Sequence, residues 1–260
     1  MEAFQMRHDT FIAEKYRNNP ALKAFLEALP ESFETGGEML WNGRNKVKSF
    51  SIDGLPEIVV KRFKHPNIIQ KIGYLFRKHK AYKAYSNGLE LIKRGIDTPY
   101  PVAYSMISKG LFVDDAYYIC ERCDLPPVED LLYRDDWSKS MAEDIAHFLA
   151  KLHRKGILHN DFNDTNVRFR TTESGGFDFS VIDINRMDFY DSIAMIPMKE
   201  RIENMTRFTG RYDLFELVMR VYANDFALSE EWVQKAIEQK KIHDRNRYRK
   251  KKILHPFRKK

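Results

Sequence analysis

The sequence has no run of about 18 apolar residues, which is the length that a helix needs to cross a bilayer. Its N-terminal stretch also lacks the apolar core of a secretory signal, since Arg7, His8, Asp9 and Glu14 lie within it. These two absences predict a cytoplasmic location. With 260 residues, of which 43% are hydrophobic and 31% charged, the chain is long enough for one large domain or for two lobes that share a cleft.

Cysteine is also scarce, because the chain has only Cys120 and Cys123, in a C-x-x-C arrangement. This spacing occurs in redox pairs and in half of a zinc site. No second pair or nearby histidine completes a zinc set, and no helix start follows as in thioredoxins. We therefore interpret both cysteines as small apolar residues at the end of a strand.

Two stretches carry the residue types that phosphoryl transfer requires. In the first, LHNDFNDTN, Asp161 is followed five residues later by Asn166, and in the second an apolar run ends on Asp183. One carboxylate can orient and deprotonate a hydroxyl, while an amide oxygen and a second carboxylate can hold Mg²⁺. The same spacing occurs in the kinase catalytic loop, whose metal-binding aspartate follows a short hairpin. The pattern predicts a kinase-fold phosphotransferase with Asp161 as the catalytic residue and with Asn166 and Asp183 as metal ligands.

Short strands with hairpin turns precede these stretches, at Asn-Gly and Asp-Gly dipeptides. Residues 58–63 then form a β-branched strand pattern that contains Lys61. Kinases place the lysine that contacts the α- and β-phosphates on their third strand, so we assign Lys61 to the phosphates of ATP. The first turn lacks the glycine-rich G-x-G-x-x-G pattern, which leaves Gly43 and Arg44 as its candidate phosphate contacts.

One or two helices are predicted over residues 67–94, ended by Gly95. A kinase needs an acidic residue there to pair with the strand lysine. Glu90 is the only acid in this stretch and is therefore the expected partner of Lys61, with a surface role as the alternative.

The remaining patterns predict a mixed α and β chain. Helices are expected over residues 2–29, 138–155, 198–208, 211–223 and 229–241, and strands over 38–41, 46–50, 99–107 and 111–121. The expected domains are an N-terminal helical extension (1–37), an N-lobe (38–122), a C-lobe (123–239) and a basic tail (240–260).

Positive charge is concentrated in that tail. Residues 240–260 contain eleven lysines and arginines and one aspartate, whereas the rest of the chain is slightly acidic. Such a segment suits an anionic partner, which we expect to be a membrane surface or lipopolysaccharide. A nucleic-acid partner is not expected, since only the tail supports one, and a solvated charged terminus is the other alternative.

The motifs HNDFNDTN, VIDINRMDF, IVVKRF and GIDTPYPVAY resemble the lipopolysaccharide core kinases, which are the Kdo and heptose kinases of bacteria. The resemblance extends over residues 38–190. It implies an α+β, bilobal protein-kinase-like fold with a five-stranded antiparallel N-lobe sheet and a mostly helical C-lobe. In that family asparagine commonly replaces the kinase lysine that follows the catalytic aspartate. Asn163 holds that place and is implied as a contact to the γ-phosphate.

The same resemblance implies transfer of phosphate from ATP, with Mg²⁺, to a Kdo or heptose hydroxyl of the inner core at the inner face of the inner membrane. Two features leave alternatives open. Ser86 stands where the family has an acid on the helix after the lysine strand, and the glycine-rich loop is weak. The absence of an A-P-E segment after Asp183 argues against a regulated protein kinase. The alternatives are a small-molecule or protein-serine kinase of the aminoglycoside-kinase or RIO type, and a pseudokinase that only binds nucleotide.

Overall fold

The short apolar runs and tight turns after residue 37 form most of one antiparallel sheet in the computed structural model of the chain. The structure describes residues 6–74, 77–134 and 138–254. The strands of this sheet are β1 (Met6–Ile12), β2 (Glu38–Asn42), β3 (Lys46–Phe50), β4 (Ile58–Arg62), β5 (Pro101–Lys109) and β6 (Phe112–Glu121). They lie in the order β1-β5-β6-β4-β3-β2, and each strand is antiparallel to its neighbours.

The first strand corrects the sequence-based expectation. Helix was expected over residues 2–29, but Met6–Ile12 is extended and pairs with β5, so the sheet has six strands rather than five. The side chains of His8 and Thr10 point to the same face and both reach the buried hydroxyl of Ser105, at 2.6 and 3.1 Å. Pairing with a distant strand therefore overrides the local pattern in this segment.

Helices α1 (Pro20–Glu27) and α2 (Glu31–Thr35) cover one face of the sheet. The first helix begins at a proline, which has no N–H to leave unpaired there, and the side chain of Asn19 caps it by accepting a hydrogen bond from the Leu22 N–H. The buried residues that join these helices to the sheet include Leu22, Leu26, Phe33, Val60, Tyr117 and Ile119.

The predicted helical stretch at 67–94 contains α3 (Ile68–Tyr74) and α4 (Lys80–Lys93), which ends before Gly95 as expected. The second of these helices packs on the opposite face of the sheet through Ala81, Ala84 and Tyr85. This face also carries Phe63 and Tyr118.

The remaining elements are mostly helical, in agreement with the sequence. They are α5 (Glu129–Leu132), α6 (Lys139–Arg154), β7 (Ile157–Leu158), β8 (Val167–Thr171), β9 (Phe177–Val181), β10 (Asp188–Phe189), α7 (Met198–Met205), α8 (Tyr212–Asp225) and α9 (Glu230–Leu254). The apolar stripe predicted on α6 is buried, and α6 packs against α8. Ser138 caps α6 by accepting from the Met141 N–H.

The last helix is longer than expected. It was predicted to end at residue 241, but it continues to Leu254, so most of the basic tail is helical. Within the described residues, no helix is both long and apolar enough to cross a membrane.

The chain separates into two compact units. The first unit comprises the described residues up to Asp124 together with Asp183–Arg186, and the second comprises Leu125–Ile182 and the described residues from Met187 onward. The chain therefore passes from the second unit back to the first between Ile182 and Asp183, at the predicted metal ligand.

Candidate active site

In the first unit, the predicted phosphate lysine and the predicted metal aspartate lie in direct contact. Lys61 is paired across the strands with Tyr118, and both belong to the sheet face that α4 covers. The Lys61 Nζ donates to the Asp183 Oδ1 at 2.6 Å, and both side chains are partly buried. Two residues that are 122 positions apart in the sequence therefore form one ion pair.

Helix α4 is fixed to the short helical turn that follows this aspartate, Ile184–Arg186. The buried side chain of Asn87 donates its amide N–H to the Ile184 carbonyl at 2.7 Å. Gly88 permits this close packing, because a Cβ added there would lie 2.5 Å from the Pro101 side chain. These contacts position the backbone next to Asp183.

Glu90 does not pair with Lys61, so the expected ion pair is corrected. Its carboxylate instead accepts from the Arg94 Nε at 2.7 Å, one helical turn further on, and lies 3.9 Å from the Lys93 Nζ. A basic residue at i+4 on the same helix face is the nearest partner for such a carboxylate. Ser86, in the family's acidic position, donates to the Lys83 carbonyl at 3.3 Å.

Lys80 is a basic residue near this ion pair that the sequence analysis did not single out. The pKa of Lys80 is lowered, first by burial and then by the positive charges of Arg44, Arg186 and Lys61. The carboxylate of Asp183 partly opposes the shift. We call these five residues the basic cluster. Lys80 could have been recognised from its i, i+7 spacing to Asn87, which places both on one helix face, but it lies in a lysine-rich segment and does not stand out.

The structure therefore places Arg44 close enough to Lys80 to influence its charge, although Arg44 itself is exposed. Gly43 lies in the same hairpin, and its N–H donates to the Asn45 carbonyl at 3.3 Å. The indole of Trp41 covers Gly43 so closely that an added Cβ would lie 2.4 Å from the ring nitrogen. A packing role thus accounts for this glycine, and its contact to phosphate stays a prediction.

In the second unit, the catalytic loop (residues 160–166) begins with a strained residue. Asn160 has a φ of 56°, in the left-handed region that residues other than glycine rarely adopt. Its N–H donates to the Asn204 Oδ1 at 2.9 Å, and its side chain donates to Asp188 at 2.6 Å. Asp183 has a similar φ of 55°. Strain of this kind persists where surrounding contacts enforce it, and such residues cluster at functional sites.

A buried hydrogen-bond network supports Asn160 through Asn204. The Asn204 amide nitrogen donates to the His153 Nε2 at 3.2 Å, so the other ring nitrogen carries the proton and donates to the Tyr222 hydroxyl oxygen at 2.7 Å. Arg201 also donates to that oxygen. Burial, together with the charge of Arg201, lowers the pKa of His153 to about 3, so the ring is neutral.

Asp161 follows directly, with its side chain 19% exposed and its Oδ1 accepting from the Arg207 Nη1 at 3.0 Å. Asn166 donates its amide N–H to the Asp161 carbonyl at 3.0 Å. The Asn166 carbonyl in turn accepts from the Ile182 N–H at 3.0 Å. The loop and the residue before Asp183 are thereby hydrogen-bonded to each other.

Asn163 shapes the loop from within. Its Oδ1 accepts from the Thr165 N–H and hydroxyl, at 3.1 and 2.7 Å, and from the Asn166 N–H at 3.0 Å. This is the self-capping turn that asparagine favours. Because these bonds use the amide oxygen, the amide nitrogen is the atom with which Asn163 could donate to a phosphate.

The predicted metal ligands have the donor chemistry that Mg²⁺ requires. Asp183 supplies a carboxylate, and Asn166 supplies an amide whose nitrogen is already used as a donor, which leaves its oxygen as the ligand atom. Both residues therefore fit an oxygen-ligated divalent cation.

Cys120 takes no part in this chemistry. Burial raises the pKa of Cys120 to about 12, so that thiol is not a reactive thiolate. The interpretation as small residues at the end of β6 fits these observations.

Comparisons with known proteins agree with this geometry. The family model described as the lipopolysaccharide kinase (Kdo/WaaP) family matches residues 68–216, which include Asp161, Asn166 and Asp183 but begin after Lys61. No curated protein matches the chain.

Solved structures show the fold. A structure of WaaP in complex with acyl carrier protein has a TM-score of 0.57 at 16% identity, covering 89% of this chain and 99% of that one. The amicoumacin kinase hAmiN, in complex with AMP-PNP, Ca²⁺ and Ami, has a TM-score of 0.53 at 10% identity, covering 88% and 87%. The Rio2 kinase–ADP/Mg²⁺–phosphoaspartate complex from Chaetomium thermophilum scores 0.47 at 15% identity, covering 78% and 60%. The first two matches confirm the expected α+β kinase-like fold.

Proposed function

The chain belongs to the lipopolysaccharide kinase (Kdo/WaaP) family and is a phosphotransferase, and on this premise we propose that it transfers the γ-phosphate of ATP to a Kdo or heptose hydroxyl of the lipopolysaccharide inner core. The observation that carries the proposal is the 2.6 Å contact between Lys61 and Asp183, in which the predicted phosphate lysine meets the predicted metal ligand. The family match supports a sugar kinase of the core, and the choice of sugar belongs to the proposal.

The basic cluster supports nucleotide binding. Lys61 would move from Asp183 to the α- and β-phosphates when nucleotide and metal enter, while Lys80 and Arg44 would add positive charge around the phosphates. These side chains would replace part of the electrostatics that a glycine-rich loop supplies in other kinases. Gly43 would contribute only backbone N–H groups.

Asn166 and Asp183 would hold Mg²⁺. The bound cation would neutralise charge on the phosphate oxygens during transfer. Asp161 would orient the acceptor hydroxyl and accept its proton, and Asn163 would donate its amide N–H to the γ-phosphate.

Phosphate transfer to a lipid-linked acceptor tests this function. Purified protein is incubated with ATP, Mg²⁺ and core precursors that end in Kdo or in heptose, and products are located by mass spectrometry. We expect one added phosphate on the sugar. Phosphate on serine in added protein, or on a small-molecule alcohol, would instead support a RIO-type or aminoglycoside-type kinase. Nucleotide binding without any transfer would support a pseudokinase, the alternative that the missing acid at Ser86 favours.

The C-terminal half of α9 supports a second part of the proposal, which is attachment to an anionic membrane surface. Arg245, Arg247, Arg249, Lys250 and Lys252 are exposed on this helix. Each basic side chain near such a surface is worth about 1 kcal/mol. Lys240 does not join them, because it is 2% exposed and pairs with Asp244 at 2.9 Å.

Vesicle flotation tests the attachment. Vesicles of phosphatidylglycerol and phosphatidylethanolamine should carry the wild-type protein to the top of a gradient at low salt. A variant with Arg245, Arg247, Arg249 and Lys250 changed to Gln should remain at the bottom. Equal flotation of the two proteins would reject the attachment and would leave the kinase proposal intact.

A further inference from the structure

Arg207 is placed beside the candidate catalytic carboxylate by a short, well-packed turn between α7 and α8. Its neighbours in the chain, Thr206 and Phe208, are 3% and 0% exposed. The Thr206 hydroxyl donates to the Glu203 carbonyl at 2.8 Å, and the Phe208 N–H donates to the Met205 carbonyl at 3.0 Å. Because both flanking residues are buried, the backbone of Arg207 has a fixed position.

The same turn is joined directly to the catalytic loop. The Asp164 N–H donates to the Phe208 carbonyl at 3.1 Å, and the rings of Phe162 and Phe208 pack with their centroids 5.7 Å apart. Phe162 is the residue after Asp161, so these contacts fix the position of the turn relative to the catalytic residue. The 3.0 Å contact between Arg207 and Asp161 follows from this packing.

The exposure of this ion pair argues against a purely structural role. The side chain of Arg207 is 44% exposed, and ion pairs that are open to solvent contribute little to stability. Arg211, four residues later, shows the contrast. Its guanidinium contacts both carboxylate oxygens of Asp213 and also the Leu132 carbonyl at 3.0 Å, so it joins the start of α8 to the end of α5. Arg207 reaches Asp161 through Nη1 and makes no other side-chain hydrogen bond to the residues that the structure describes.

We propose that Arg207 binds a carboxylate on the acceptor and so selects a sugar acid over a neutral sugar, which deepens the proposed function and rests on it. A guanidinium presents paired N–H groups that match a carboxylate in a bidentate geometry. Of the two acceptors left open by the family, Kdo carries a carboxylate and heptose does not. Arg207 therefore favours Kdo.

Binding of the acceptor carboxylate by Arg207 also prepares the catalytic residue. When the acceptor carboxylate takes Arg207, the Oδ1 of Asp161 becomes available to the acceptor hydroxyl. The hydroxyl oxygen then forms a bond to the γ-phosphorus, the bond between that phosphorus and the β–γ bridging oxygen breaks, and the hydroxyl proton passes to Asp161. ADP leaves with the bridging oxygen. Recognition of the correct acceptor and release of Asp161 are thus the same event.

The test compares two acceptors that differ only in this charge: a Kdo-bearing lipid A precursor and the methyl ester of its Kdo carboxylate. Both keep the lipid phosphates, so a preference between them reports on the carboxylate alone. Transfer is measured as kcat/KM for the wild type, Arg207→Gln and Arg207→Lys. Lys199→Gln is the matched control, because Lys199 is an exposed cation on α7 that lies 3.7 Å from Glu203.

The wild type and Lys199→Gln should prefer the free carboxylate about 10- to 100-fold, the range of a charge-assisted hydrogen bond. Arg207→Gln should lose most of this preference, mainly through a fall in kcat/KM for the free carboxylate, and Arg207→Lys should fall between. Equal use of both acceptors by the wild type would overturn the inference and leave the kinase intact. So would an equal loss on both acceptors in Arg207→Gln. No transfer to either acceptor would overturn the inference, and the proposed function would fall with it only if a precursor that ends in heptose were not phosphorylated either.

Discussion

The basic cluster and the catalytic loop are held in place by different forces. In the basic cluster, charged side chains act on one another, and the contact between Lys61 and Asp183 is partly open to solvent. In the catalytic loop, the strained backbone of Asn160 is held by the buried side chain of Asn204, which contacts the buried neutral ring of His153. The first arrangement can change its partners when a phosphate arrives, whereas the second keeps one geometry.

This difference separates two tasks within one enzyme. Charged side chains that are partly exposed can change partners at a small cost in free energy, because water weakens their mutual attraction. A buried polar network is costly to disrupt, because each lost partner leaves a desolvated group unpaired. We therefore expect changes in the cluster to affect nucleotide binding more than stability, and changes behind the loop to do the reverse.

The largest effect within the cluster should follow from Lys61→Met. Loss of a charge-assisted hydrogen bond to phosphate costs about 1.5–3 kcal/mol, which corresponds to about a 10- to 100-fold loss of kcat/KM for ATP. The melting temperature should change little, because the ion pair is partly exposed. A large drop in stability with unchanged nucleotide affinity would contradict the expectation that the cluster serves nucleotide binding more than stability.

Lys80→Gln should have a smaller effect in the same direction. Lys80 contributes charge near the ion pair between Lys61 and Asp183 rather than the central contact, so we expect about a fivefold rise in KM for ATP, equivalent to about 1 kcal/mol. Lys78→Gln is the control, since Lys78 is exposed and donates to the Tyr82 hydroxyl. The two variants should differ in nucleotide binding measured by calorimetry, and identical affinities would remove Lys80 from the cluster.

The buried network around His153 should change how the free energy of unfolding depends on pH. The pKa of His153 is about 3 in the folded protein against 6.5 for an ordinary histidine, so the unfolded chain takes up a proton first as the pH falls. The free energy of unfolding should therefore decrease below about pH 6.5, by up to about 1.4 kcal/mol per pH unit from this residue. His79, whose pKa burial lowers to about 4, adds a similar contribution.

His153→Asn should make that slope shallower by about 1.4 kcal/mol per pH unit between pH 6 and 5, measured from urea unfolding curves. At pH 7 it should cost about 1–3 kcal/mol, since Asn204 loses a buried partner. His147→Asn is the control, because His147 lies on the same helix and its side chain is 55% exposed. Parallel slopes for wild type and His153→Asn would contradict the buried neutral ring.

The smallest effect should come from Glu90→Gln. Because Glu90 pairs with Arg94 and not with Lys61, we expect less than a twofold change in transfer and about 0.5 kcal/mol or less in stability. A loss as large as that of Lys61→Met would show that Glu90 reaches the lysine during the reaction.

The kinase-like fold could be predicted because its signals are local. The helix at α6, the hairpins and the spacing from Asp161 to Asn166 all occur within short windows of sequence. The strand at Met6–Ile12 was missed because it is defined by pairing with β5, almost 100 residues away. The roles assigned to Asp161, Asn163, Asn166 and Asp183 remain predictions.

The residues that surround these four could not be predicted either, because they are brought there by contacts between distant parts of the sequence. Lys80, Arg207 and Asn204 come from elements distant in sequence, and only the fold brings them near the cluster or the loop. The pairing of Glu90 was misassigned because the nearest basic residue in three dimensions is its own helical neighbour, Arg94.

The most direct test of the division between cluster and loop compares Asp161→Asn with Asp183→Asn in two assays, Mg²⁺-dependent nucleotide binding and phosphate transfer to the lipid-linked acceptor. Both variants should lose transfer by about 100-fold or more. Only Asp183→Asn should also lose the Mg²⁺ dependence of binding, whereas Asp161→Asn should bind nucleotide like the wild type. Full transfer by Asp161→Asn, or unchanged Mg²⁺-dependent binding by Asp183→Asn, would contradict the account.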